Sequence, residues 1–177
     1  LVFAEDQAGY LAGVLAGGMT TTKNVGVMAG IPFPPLRKFA NGYAQGVRSV
    51  CSDCTVQIAY AETFSSGEVG EQVASSLIDG GADVVFAAAG AAGGGAIKYA
   101  ASQSVWAIGV DMDEYITTFA DGNVPGAEYL LSSAMKKVDV AVYETIKLAL
   151  ESSFTNEKGA FDVANGGVDL APYHSSE

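Results

Sequence analysis

The chain has 177 residues, enough for one domain of ordinary size and short for two. Its 49% hydrophobic content can build a substantial core, which excludes global disorder. Lys and Arg number 9 against 20 Asp and Glu, and the resulting charge of −11 repels phosphate backbones and acidic lipid, so nucleic acid and membrane surface are excluded as partners.

Glycine contributes 22 residues, well above the usual ~7%, and these follow no repeat. The most apolar stretch, residues 84–97, is too short and glycine-rich for a bilayer span of ~20 residues. The opening Leu1-Val2-Phe3-Ala4 reads as the end of a strand with no signal peptide before it, so the chain is expected to be a fragment or processed product.

Strands and helices alternate along the chain. Residues 6–19 are expected to be helical, capped by Asp6, with Tyr10, Leu11, Val14 and Leu15 as the apolar stripe. A turn at 20–23 leads to a strand at 24–30. Pro34 and Pro35 suit a helix start, and Leu36, Phe39, Tyr43, Val47 and Val50 recur at helical spacing. Cys51 and Cys54 follow that helix and precede a strand at 55–60, the wrong end for a thiol-redox site; they read as a loop disulfide or two free thiols. A helix at 66–79, with Val69, Val73 and Leu77 on one face, stops at Gly80-Gly81. Strands at 84–89 and 105–110 are continuous apolar runs joined by a helix at 94–102. A polar stretch, a strand at 129–133 and an amphipathic helix follow, with Met135, Val138, Val142, Ile146 and Leu150 facing one way. Two short strand-like pieces flank Asn165-Gly-Gly167 in residues 161–172. This order predicts an α/β fold, a doubly wound parallel sheet whose ligands bind at the carboxyl ends of the strands.

The loops at that edge carry no catalytic apparatus. There is no Gly-x-Ser-x-Gly elbow, and the only histidine, His174, lies near the C-terminus. Gly90 and Gly95 have the outer spacing of a phosphate loop, but Ala96-Ile97 replaces its cation. Asp111, directly after a strand, either accepts two sugar hydroxyls or caps the next turn. Phe64 either stacks on a flat ligand or joins a local cluster, and Gly90 permits either close backbone approach or a tight turn. Arg37 either reaches a ligand oxygen or is a solvated charge. Lys136, at the expected start of the long helix, either meets an anion or stands exposed.

Five segments together resemble the basic membrane protein family, the purine-nucleoside-binding lipoproteins that serve as substrate-binding components of ABC transporters. They are Glu5-Asp-Gln-Ala-Gly-Tyr-Leu-Ala-Gly13, Gly30-Ile-Pro-Phe-Pro-Pro-Leu-Arg37-Lys-Phe-Ala-Asn-Gly-Tyr43, Ala107-Ile-Gly-Val-Asp111, Ser132-Ser-Ala-Met-Lys136 continuing to Val142, and Ala164-Asn-Gly-Gly-Val-Asp-Leu-Ala-Pro-Tyr173. The resemblance implies a Rossmann-like lobe of the type I periplasmic-binding fold. It implies Phe64 stacking on the purine, Asp111 holding the ribose hydroxyls, Lys136 as a nearby cation, Gly90 as a backbone contact and Arg37 as a sugar contact, with Asp6 joining the set. It also implies a membrane permease as partner and an extracytoplasmic location, while the residues themselves lead us to expect no enzymatic activity, metal or cofactor. Residues 1–5 are then a crossover strand from a missing N-terminal lobe, 6–133 the C-terminal ligand-binding lobe, and 134–177 return elements that would pack on the missing lobe. Without that lobe the apolar stripe of the long helix is expected to be exposed and to favour self-association. A module that kept the scaffold without transport function is the alternative.

Overall fold

Strand and helix alternate in the computed structural model, which describes residues 1–155 and 159–176. In chain order the elements are α1 (Glu5–Met19), β1 (Asn24–Ala29), α2 (Pro34–Val50), β2 (Thr55–Tyr60), α3 (Gly67–Asp79), β3 (Val84–Ala88), α4 (Gly90–Ser102), β4 (Trp106–Asp111), α5 (Glu114–Thr117), β5 (Leu130–Lys136), α6 (Val138–Leu150) and β6 (Val168–Leu170). The strands form one sheet in the order β2-β1-β3-β4-β5-β6, parallel throughout except for the antiparallel pairing of β6 with β5. This is the doubly wound α/β arrangement expected from the alternation.

Each face of the sheet carries its own core. Val25, Val27 and Phe86 point toward α1 and α2, where Phe39, Tyr43 and Val47 meet them. Met28, Val85 and Ala87 point the other way, toward Leu77, Ile97 and Phe119. The two-residue alternation within strands buried on both sides accounts for their continuous apolar sequence. At the start of β4, Trp106 lies against Tyr129, ring centroids 5.5 Å apart.

Helix α1 buries a different stripe from the expected one. Its buried residues are Glu5, Ala8, Gly9, Ala12, Gly13 and Ala16, while Tyr10 is exposed and Leu11, Val14 and Leu15 are half-buried. The reason is the closeness of α2. A Cβ at Gly13 would lie 2.1 Å from the Tyr43 carbonyl oxygen, and one at Gly42 would lie 2.0 Å from that of Asp6. Gly9 and Gly46 meet the opposite backbone in the same way. Only hydrogen side chains permit this approach.

Other boundaries shift as well. The α1 helix begins at Glu5, and its N-cap is Ala4 with no side-chain cap, so Asp6 is a first-turn residue and not the cap. The glycine-rich segment from Gly90 is already helical, four residues before the expected start, because α3 packs on it at Gly70 and Gly67. Strand β5 runs on to Lys136, which takes Met135 and Lys136 out of the long helix. Val50 is exposed, and the short helix α5 occupies part of the polar stretch read as irregular.

Cys51 and Cys54 form a disulfide, with Cα atoms 5.4 Å apart. Asp83, ahead of β3, accepts hydrogen bonds from Thr21 N–H at 2.6 Å and Thr22 N–H at 2.9 Å, tying the turn after α1 to the sheet. The outer stripe of α6 is exposed, from Val142 at 42% to Leu150 at 82%, and Ala141 is its buried residue. Phe3 bridges Phe161 in parallel beside the start of α1. Residues 156–158 and 177 of the expected return segment lie outside the described residues.

Gly13→Ala is expected to destabilise the fold by roughly 1–3 kcal/mol, since backbone must move. Gly18→Ala, where a Cβ meets nothing within 4 Å, should be neutral or stabilising by up to ~1 kcal/mol; urea unfolding of the two variants compares them. The Tyr43 hydroxyl is buried without a hydrogen-bond partner among the described residues, and its ring stacks on Phe86 at 5.4 Å. Tyr43→Phe is therefore expected to raise stability by about 1 kcal/mol in the same assay.

Candidate functional site

The carboxyl ends of β1, β3, β4 and β5 open onto one cleft of about 330 Å³. Parallel strands all deliver their ends to the same edge, so residues distant in sequence converge there. Its wall includes Glu5, Phe33, Phe39, Phe64, Gly90, Asp111 and Lys136.

Phe64 follows β2 and stands at 37% exposure. Its ring lies over Gly30, where a Cβ would come within 2.1 Å of the ring. Phe33 meets it edge-on, centroids 6.1 Å apart and planes at 79°. Backbone at Gly30 and the Phe33 ring thus hold the Phe64 ring in place where it lines the cleft. Gly90, the first residue of α4, has φ +55, a conformation that favours glycine. Just beyond it, Ala92 N–H donates to the Phe64 carbonyl at 3.2 Å, joining the Phe64 loop to the helix.

Asp111 is the last residue of β4 and not the first of the following loop. Its φ of +68 is left-handed, a conformation that is uncommon for a residue with a side chain and that marks local strain. Its carboxylate pairs with Lys136 Nζ at 2.9 Å. Lys136 in turn sits 5.7 Å from the centroid of the Phe39 ring, within cation–π range. The pairing of β4 with β5 sets Asp111 beside Met135, which brings Lys136 alongside.

Glu114 supports the end of β4 from behind. It is buried, accepts from Val110 N–H at 3.3 Å and receives a further hydrogen bond from the Thr118 hydroxyl. Its own N–H donates to Ser133 Oγ at 3.1 Å. Burial pushes the Glu114 carboxyl above its usual range, against the lowering effect of the Thr118 and Val110 hydrogen bonds. Nearby, His174 Nε2 lies 2.8 Å from Asp113 Oδ2 and stacks on Tyr115 at 4.1 Å, fastening the chain's last turn to the segment after Asp111.

Phe64, Gly90, Asp111 and Lys136 therefore meet in one cleft. Arg37 and Asp6 are exposed and stand outside its lining. Sequence reasoning passed over Glu5, Phe33 and Phe39. Phe39 serves the buried stripe of α2 and the cleft wall together, and Glu5 is the helical neighbour of Asp6.

The model of a family described as ABC transporter substrate-binding protein PnrA-like (Bmp) matches residues 1–176. The ABC transporter nucleoside-binding protein BmpA of Lactococcus lactis subsp. cremoris is 33% identical over 178 residues, covering 95% of this chain and 51% of that protein. The CD4+ T-cell-stimulating antigen of Listeria monocytogenes is 34% identical over 161 residues, covering 86% of this chain and 45% of that protein. Among solved structures, an ABC transporter solute-binding protein from Aeropyrum pernix K1 matches with a TM-score of 0.76 and 27% identity, covering 96% of this chain and 48% of that one. The chain spans about half the length of the curated relatives it matches.

The raised Glu114 carboxyl fixes the sign of a pH effect. Its contribution to stability is whole below about pH 4, where the unfolded carboxyl is protonated, and is lost as pH climbs through the higher folded value. Glu114→Gln is expected to flatten that decline, seen as a smaller change in urea midpoint between about pH 4 and 7 than the wild type gives.

Proposed function

The chain belongs to the PnrA-like (Bmp) family of ABC transporter substrate-binding proteins, and on that premise we propose that its cleft holds a purine nucleoside. In this reading the base lies on the free face of Phe64 and the ribose hydroxyls donate to Asp111. Lys136 holds that carboxylate in place and offers its remaining N–H groups to ligand oxygens, and the backbone at Gly90 approaches the ligand closely. Arg37 and Asp6 are given no contact. The observation that carries the reading is the Phe64 ring and the Asp111–Lys136 pair at 2.9 Å in a single cleft. A flat heterocycle bearing a diol matches that combination: stacking at one end and a charge-assisted pair of acceptors at the other. The L. lactis relative's description as nucleoside-binding supports it.

The family is one of solute-binding proteins and not of enzymes, so the work done is capture and presentation. We place the protein outside the cytoplasm, where a second lobe closes over the cleft and the closed form docks on a membrane permease. Residues 1–5 and 134–177 are assigned to the connections with that lobe. The exposed stripe of α6, Val142 to Leu150, is the face it covers. The same stripe also favours the alternative of a scaffold that pairs with another chain, which binds no nucleoside.

Saturation-transfer NMR with inosine, guanosine, cytidine and free ribose tests the reading on this chain. Purine nucleosides are expected to bind and ribose not to, with Phe64→Ala and Asp111→Asn each weakening inosine roughly tenfold or more. Equal signals from ribose and inosine, or silence from every nucleoside, overturn it.

A further inference from the structure

Glu5 places a third charged side chain in the cleft, beside Asp111 and Lys136. It is 8% exposed. Its carboxylate has one polar contact among the described residues, an ion pair with Lys38 at 3.4 Å. Lys38 is half exposed and lies outside the cleft lining, so it reaches Glu5 from the solvent side, where such pairs contribute little. Lys136, the cation within the cleft, is already engaged by Asp111. A carboxylate can accept about four hydrogen bonds, and the contact with Lys38 engages Oε2 alone, which leaves acceptor capacity on the cleft side. The first turn of α1 favours a negative charge there through the helix dipole.

The chain path puts Glu5 at the Lys136 end of the cleft, away from Phe64. Phe3, just before Glu5, bridges Phe161. Gly167 packs on Phe161, and its carbonyl accepts from Lys137 N–H at 2.9 Å. The segment entering α1 and the one leaving β5 therefore run side by side.

We infer that Glu5 is a ligand-binding residue whose carboxylate accepts a hydrogen bond from a sugar hydroxyl and whose charge disfavours phosphorylated forms of the same ligand. The inference rests on the nucleoside reading above. With Asp111 it gives the cleft two acceptors against one cation, a balance suited to a neutral ligand rich in O–H donors and hostile to a phosphate.

The test is titration of the chain with inosine and with inosine 5′-monophosphate, for the wild type, Glu5→Gln, Glu5→Asp and Lys38→Met. Glu5→Gln is expected to weaken inosine roughly tenfold and to narrow the preference for inosine over its monophosphate. Lys38→Met should leave inosine affinity unchanged. Glu5→Asp, which keeps the charge and withdraws the oxygens, should weaken inosine while keeping the monophosphate excluded, and it serves as the test if Glu5→Gln fails to fold. Unchanged inosine binding in the Glu5 variants, or an equal loss in Lys38→Met, overturns the inference and leaves the nucleoside reading standing. If the wild type binds no nucleoside, both fall together.

Discussion

The contact on which the rest of the structure depends is the crossing of α1 and α2, where two helices meet backbone to backbone. Gly9 and Gly13 on one side and Gly42 and Gly46 on the other each bring the opposite backbone to within reach of where a side chain would begin. Interhelical distances normally run 8–10 Å and are set by the side chains at the contact; here glycine Cα hydrogens face the opposite carbonyls. The close approach lets both helices lie on the same face of the sheet over β1 and β3. It also fixes the phase of each helix. With Gly9 and Gly13 turned inward, Glu5 lies on the same face one turn earlier. With Gly42 and Gly46 inward, Phe39 and Tyr43 point into the sheet. Two walls of the cleft are thus set by residues that never touch it.

The remaining walls come from the sheet edge, and small residues matter there as well. Gly30 leaves the space that Phe64 fills, so backbone as well as the Phe33 ring positions the aromatic. At the other end the strained Asp111 is held by three independent anchors: the sheet, the Lys136 ammonium and the buried Glu114 behind Val110. Strain of this kind persists where surrounding structure over-determines it. A carboxylate held in place beforehand loses little freedom when a ligand arrives, which favours binding.

Much of this was legible in the sequence, because the doubly wound sheet follows from the alternation of apolar runs with helical periodicity. Phe64, Asp111 and Lys136 could be selected since residues at strand ends in such a sheet have few other places to go. The structure departs from the hydrophobic pattern where packing between helices overrides it. The stripe of Tyr10, Leu11, Val14 and Leu15 is the more apolar one, yet the close crossing demands the smaller residues at 8, 9, 12, 13 and 16. Glu5 falls in phase with those positions, so Glu5 and not Asp6 lines the cleft. The glycines of 90–95 argued against helix on propensity, but contact with α3 decides the matter there. Lys136 ends a strand and does not open the helix, a boundary hidden in the pattern because an apolar strand and an amphipathic helix follow each other with only Lys137 between them.

Trp106 has a practical consequence. It is the single tryptophan in the chain and begins the strand that Asp111 ends, so at ~3.3 Å per residue the indole lies about 16 Å from the cleft. Its ring is tilted against Tyr129, at the opposite edge of the sheet from the cleft. Intrinsic emission from this protein is therefore an optical gauge of whether the sheet is intact, insensitive to whatever occupies the far edge. Folding and occupancy can be followed in one sample by separate signals.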